Sequence, residues 1–280
     1  MSSGSRLACL AGLVAWACLG TTAVPAQQLP AELARERHEY AEWLATAAVS
    51  PFAALVQRPL GRGLTIGPPD TDIPLEDLAE HRLAVRNGVV SLEQAGSTRP
   101  LARGRPVPLG RYQLVLGGGG PDAAVIVYEA HPNRFTPPTY YPYDPRLVLA
   151  VTLRPAERPA TRRVLGPDGQ DVEASEAGTV AVTVGGTAIT LTVRRIPDPD
   201  GEESELEIFF RDATNGSGSY PAGRFARLEP LGGDRFRLDL NRARNPFCAY
   251  STIFACPAPW RGNTFAAAIP AGEQYHGTTP

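Results

Sequence analysis

The residues equipped for chemistry crowd into one stretch of this chain, from Phe209 to Glu273. Its carboxylates include Asp212, Asp239 and Glu273, interleaved with Arg224 and the amides Asn241, Asn245 and Asn263. Thr214, Tyr220, Cys248 and Cys256 add hydroxyls and sulfur, and His276 follows. Asp212 and Asp239 each adjoin an apolar run, so strands ending at one sheet edge would bring them together as a general acid–base pair. Cys248 with His276 would supply a thiolate and its base, but a terminal tail positions a base poorly. The same residue types also build structure: Asp212 can cap a turn and Arg224 can pair with a carboxylate. Gly and Pro alternate with these hydrogen-bonding residues, the composition of loops fixed around a site or a buried polar network. The preferred reading is therefore a binding or structural polar cluster of Asp212, Thr214, Tyr220, Arg224, Asp239, Asn241, Asn245, Asn263 and Glu273, with no catalytic residue assigned. The alternative is a hydrolase-like enzyme using Asp212, Asp239, Glu273 or Cys248.

No metal or cofactor is expected. Cys248 and Cys256 are spaced more widely than the C-x₂₋₄-C of structural zinc sites. His38, His81 and His131 are scattered, and no helix is expected to present Glu273 and His276 together. Gly117 to Gly120 lacks the Lys-Ser/Thr and the helix that complete a phosphate cradle, so it reads as a hairpin tip.

The first residues address the compartment. Arg6 precedes an apolar run from Leu7 to Leu19, and Val24-Pro25-Ala26 offers the small residues a signal peptidase reads. The run is short of the ~20 apolar residues of a membrane span. Residues 1–26 are read as a secretory signal, with export to the periplasm or the exterior and no integral membrane segment in the mature chain. A lipid anchor at Cys18 competes, but Trp16 stands where a small or aliphatic residue is wanted. Removing the signal also removes Cys9 and Cys18, leaving Cys248 and Cys256 as an even pair expected to form a disulfide. The net charge is −2 and the basic residues are all arginine without a cluster, so no nucleic-acid partner is expected.

The positioning elements read as mainly β. Leu33, Tyr40, Trp43, Leu44 and Ala47 recur at helical spacing behind Pro30, giving an amphipathic helix over 27–50. Short strands follow over 51–130: Leu64–Gly67, Arg82–Val85, Val89–Leu92 after the Asn87-Gly88 turn, Tyr112–Leu116 and Val125–Tyr128. A proline- and tyrosine-rich connector spans 131–147, extended because its prolines fix φ and cannot donate to a sheet. From 148 to 276 an antiparallel meander is expected, with turns at Gly166-Pro167-Asp168-Gly169 and Gly185-Gly186 and a solvated loop over 197–204.

Two resemblances rest on these residues. The order of strands and loops over 51–130 resembles a forkhead-associated sandwich: Gly67, His81 and Gly96-Ser97-Thr98 fall where that family has its glycine, histidine and Gly-Ser pair. The family's phosphothreonine-gripping residues are replaced by Pro68, Leu78 and Arg99, so the resemblance implies the scaffold without phosphopeptide binding. The C-terminal string resembles domain of unknown function 1684, a bacterial family. Its pattern is matched at Asp212, Thr214, Gly216, Tyr220, Gly223, Arg224, Asp239, Asn241, Asn245, Pro246, Cys248, Cys256, Asn263 and Glu273. It is departed from at Ser219 (for Thr), Leu240 (for Phe), Arg244 (for Tyr) and Gln274 (for Lys). The last departure weakens any role for a lysine beside Glu273. The resemblance implies no activity, and the ligand or protein partner stays unknown.

Overall fold

The computed structural model describes residues 28–118, 123–129, 135–197 and 204–277. The expected signal segment, His131, Gly119, Gly120 and the greater part of the 197–204 loop lie outside them. The described chain is mainly β, one helix followed by three largely antiparallel sheets. The helix, α1, spans Ala31–Thr46, shorter at both ends than its expected limits. Pro30 at its N-cap cannot continue a helix backwards, and Leu33 and Leu44 are its buried residues.

The next strands form two facing sheets. One has the order β1 (Ala54–Pro59), β9 (Ala124–Glu129), β8 (Tyr112–Gly117), β7 (Val107–Leu109). The other runs β3 (Ile73–Pro74), β2 (Gly63–Gly67), β4 (His81–Arg86), β5 (Val89–Gln94), β6 (Ser97–Pro100). Leu64, Ile66, Leu83, Leu92, Leu114, Val125 and Val127 share the core between them. Strands β8 and β9 are apolar on both faces. Their other face, through Val115, Ile126 and Tyr128, packs with Tyr220, Cys248 and Phe254 from the C-terminal part. That double burial explains why they read as nearly continuous hydrophobic runs.

The C-terminal meander is a long curled sheet ordered β10 (Val148–Thr152), β17 (Arg235–Asp239), β16 (Arg224–Gly232), β15 (Ser204–Phe210), β14 (Thr187–Pro197), β13 (Asp171–Val184), β11 (Arg154–Pro155). Strand β12 (Thr161–Leu165) pairs with the outer half of β13. The sheet closes on itself enough for Val151 of β10 to share one core with Val180, Leu191, Ile208 and Leu238. Phe209, Ile196 and Phe225 point to the opposite face, where Trp260 covers them. No helix among the described residues is long and apolar enough to cross a membrane.

Cys248 and Cys256 are bonded, their Cα atoms 5.5 Å apart. The bridge closes a loop that lies against Tyr220, whose hydroxyl donates to Cys248 O at 3.0 Å. Closing so short a loop stabilises by about 2–3 kcal/mol in the chain-entropy picture. Titration of the denatured, unreduced protein without residues 1–26 is expected to find no free thiol. Two free thiols per chain would show that the pair is not oxidised.

Candidate functional site

The polar string is buried, and its members bond to one another and to backbone. At its centre Arg224, the first residue of β16, is fully buried. Its Nη2 lies 2.6 Å from Asp212 Oδ2 and donates to Ile269 O at 2.9 Å, while Nη1 donates to Ala271 O. Asp212 Oδ1 accepts from the Thr214 N–H at 2.8 Å, the Thr214 hydroxyl at 2.7 Å and the Ile269 N–H at 3.1 Å. Thr214 in turn meets the buried Ser219 hydroxyl at 2.7 Å. Asp212 caps the turn that follows β15, and Arg224 reaches it because the two strands are directly paired, Phe210 opposite Arg224. Gly223 permits this close pass: a Cβ there would stand 2.6 Å from Phe210 O.

A second knot forms around Glu273. Its Oε2 accepts from the Asn245 N–H at 2.7 Å and the Tyr250 hydroxyl at 2.6 Å. Asn245 Nδ2 donates to Gln274 O at 3.1 Å. Burial pushes the Glu273 carboxyl up to about 7, against the lowering pull of Tyr250, the Asn245 N–H and the nearby arginines. Burial likewise raises the Tyr250 and Tyr40 hydroxyls beside it. A third knot holds the connector: Asn241 exchanges a pair of 2.9 Å bonds with the backbone of Asp144, and its N–H donates to Asp239 Oδ1 at 3.0 Å. Asp239 lies 3.2 Å from Arg242, which makes a two-pronged contact with Glu36 of α1 at 2.7 and 2.8 Å. Asn263 works alone as a backbone staple, bonding Thr192 at 2.8 and 3.0 Å and Phe209 O at 3.0 Å. Eight of the nine residues thus occupy four knots buried among the described residues, and the ninth, Tyr220, lies against the disulfide.

Such an arrangement has the bonding that a structural network requires. Asp212, Asp239 and Glu273 each accept hydrogen bonds, with Glu273 Oε1 alone among their oxygens buried and unpartnered, Cys248 is bonded to Cys256, and His276 is exposed. The helix is fastened to the same knots, with the Arg37 guanidinium 4.1 Å above the Tyr140 ring and the Arg244 guanidinium 4.3 Å from Tyr40. Trp43 packs on Phe247 at 6.0 Å. Among the described residues no group of three or more His, Cys, Asp and Glu is placed to hold a metal.

A different place has the shape of a site. A cavity of about 820 Å³ opens between β8–β9 on one side and the β12–β13 hairpin with β14–β15 on the other. Its apolar wall includes Trp43, Val115, Ile126, Tyr128, Ile196 and Phe247. Its polar wall includes Asp168, Gln170 and Glu207, none of which belonged to the expected cluster. Glu207 and Gln170 are each only 8% exposed, and Glu207 Oε2 and both Gln170 amide atoms have no hydrogen-bond partner among the described residues. Burial pushes the Glu207 carboxyl up to about 8, and the charge of Glu205 pushes it the same way. Burial also raises Asp168, against the lowering effect of backbone donors, one of them the Gln170 N–H at 3.0 Å. Gln170 packs onto β8 itself: a Cβ on Gly117 would fall 1.5 Å from Gln170 Oε1.

The sequence carried a faint mark of this site. Glu207 interrupts the run Leu206-Glu207-Ile208-Phe209-Phe210 on the face it shares with buried Phe209, an odd place for a carboxylate. Asp168 was indistinguishable from an ordinary turn aspartate.

Comparison with known proteins agrees with the pattern of the polar string. A search of curated proteins finds no match. A solution NMR structure of an uncharacterised protein from Haloarcula marismortui is 33% identical, over 50% of this chain and 77% of its own, with a TM-score of 0.43. The profile of a family described as "protein of unknown function (DUF1684)" matches residues 133–274, from the connector through Glu273. The nine residues of the polar string lie within that span, and the chain belongs to the DUF1684 family.

Proposed function

We propose that this protein is an exported β-rich binding module whose ligand occupies the cavity between the sandwich and the C-terminal meander. The observation that carries this reading is the cavity itself: an apolar space of drug-sized volume with a few buried polar groups left without protein partners. Ligand sites have that composition, whereas a purely structural interface fills its space. In this reading the Asp212–Glu273 knots, the disulfide and α1 hold the second wall rigid against the first.

Residues 1–26 act as the secretory signal, 27–50 as the docking helix, 51–130 as a forkhead-associated-like scaffold, 131–147 as a strap and 148–276 as the family domain. The charge pattern of the N-terminus supports export, with a free chain favoured over a lipid anchor. The forkhead-associated likeness is supported by the two facing sheets and by His81, buried with Nδ1 2.7 Å from Ala79 O. Pro68, Leu78 and Arg99 leave no phosphothreonine grip there.

Fluorescence titration of the mature protein with the neutral dye Nile red tests the reading. Saturable binding at one site is expected, lost in Val172→Trp or Val49→Trp, which place an indole in the cavity. Phosphothreonine peptides should not displace the dye. Absence of saturable binding, or binding indifferent to both indoles, would refute the proposal.

A further inference from the structure

We infer that the cavity takes an amphiphilic organic amine, its ammonium seated between Asp168 and Glu207 and its apolar body against Trp43, Val115, Tyr128 and Phe247. This rests on the cavity being the ligand site, and adds the class of ligand.

The sign of charge comes from the wall. Asp168, Asp171, Glu173, Glu205 and Glu207 line it against Arg103 and Arg163. Glu205 is satisfied by Arg227 at 2.6 Å, on the flank of the cavity. Glu207, two residues along the same strand, has its Oε2 free of any described partner, and it is more than nine-tenths buried. An anionic ligand would meet the Asp168 and Glu207 carboxyl groups, offset only in part by the charges of Arg227 and Arg244. A neutral one would leave the Glu207 carboxyl, once it ionises above about 8, without a counter-charge in a poorly solvated place. A primary ammonium supplies both the charge and three donors, for which Asp168, Glu207 and the Gln170 carbonyl oxygen are the acceptors.

The apolar body follows from the rest of the wall. The space is far larger than a bare ammonium needs, and a hydrated inorganic cation would face hydrocarbon over most of its surface. Trp43, Tyr128 and Phe247 present rings to it. Aromatic faces suit both an alkyl chain and the positive methylene next to an ammonium. At about 0.8 kcal/mol per buried methylene, a short alkyl chain adds useful affinity without any further polar contact.

Isothermal titration calorimetry of the mature protein at pH 9, above the raised value of about 8 for the Glu207 carboxyl and with the ammonium still charged, separates n-octylamine, n-octanol and octanoate. Octylamine is expected to bind at least tenfold more tightly than octanol, and octanoate to give no binding heat. Glu207→Gln should bring octylamine down to the affinity of octanol, while Val172→Trp should abolish both. Octanol or octanoate binding as tightly as octylamine, or an undiminished amine affinity in Glu207→Gln, would overturn the amine inference and leave the cavity as a ligand site. No binding of any of the three would overturn the cavity reading with it.

Discussion

Arg224→Ala is expected to destabilise the protein by about 3–5 kcal/mol, the cost of leaving a buried carboxylate without its partner. Asp212 and Arg224 have fully buried side chains 2.6 Å apart, and the guanidinium also holds the carbonyls of Ile269 and Ala271. Removing it strands the Asp212 charge and two backbone acceptors together. Alanine leaves a void in addition, since Arg224 heads the largest fully buried side chains. A milder probe keeps the test readable should the alanine variant not fold. Thr214→Val takes away only the hydroxyl donor to Asp212 Oδ1 and should cost about 1–2 kcal/mol. Urea unfolding measures both. An open binding site would give the opposite pattern, with stability almost unmoved.

Glu207→Gln is expected to stabilise the protein at alkaline pH and to leave it nearly unchanged at pH 4.5. The folded Glu207 carboxyl titrates near 8, while the ordinary value is 4.5. The folded state therefore holds a proton that the unfolded chain releases. The favourable contribution is complete below 4.5 and is lost as pH rises towards 8, so stability falls with pH across that window. The loss is about 3–5 kcal/mol at the upper end, because each tenfold difference in proton affinity between the folded and unfolded chain is worth about 1.4 kcal/mol. Glutamine keeps the shape and cannot ionise, so its unfolding free energy should lack this slope. Glu273, raised to about 7, contributes a slope of the same sign over a narrower window, and it persists in the variant. Comparing urea midpoints at pH 4.5 and 8.5 resolves the two.

Much of the architecture was legible because particular residues forced it. Val180, Val182 and Val184 alternate into Gly185-Gly186 and Ile189, Leu191 and Val193 alternate out, and they form the β13–β14 hairpin about that turn. The double apolar character of Tyr112–Leu116 and Val125–Tyr128 likewise marked strands buried on both sides. The strands missed by pattern, β1, β3, β6, β7 and β11, are short or lie at sheet edges. Ser97–Pro100 is exposed throughout and is held as a strand by the Ala95-Gly96 turn, both residues at positive φ, with no hydrophobic stripe to reveal it. Burial of the polar string was not legible, because an aspartate, an arginine and an asparagine look alike whether they line a cleft or knot a core. Its partners, the carbonyls of Ile269 and Ala271 and the backbone of Asp144, are supplied by tertiary structure. The cavity was out of reach for the same reason. Asp168 in a turn, Glu207 in a strand and Trp43 in the helix become neighbours of one space only when the two halves pack.

The most direct measurement is urea unfolding at pH 8.5 of the mature wild-type protein, Arg224→Ala and Glu207→Gln side by side. If the polar string is a structural knot and the cavity carries the uncompensated carboxyl group, the two variants move in opposite directions, Arg224→Ala less stable and Glu207→Gln more stable than wild type. An Arg224→Ala protein as stable as wild type, together with a destabilised Glu207→Gln, would contradict both assignments.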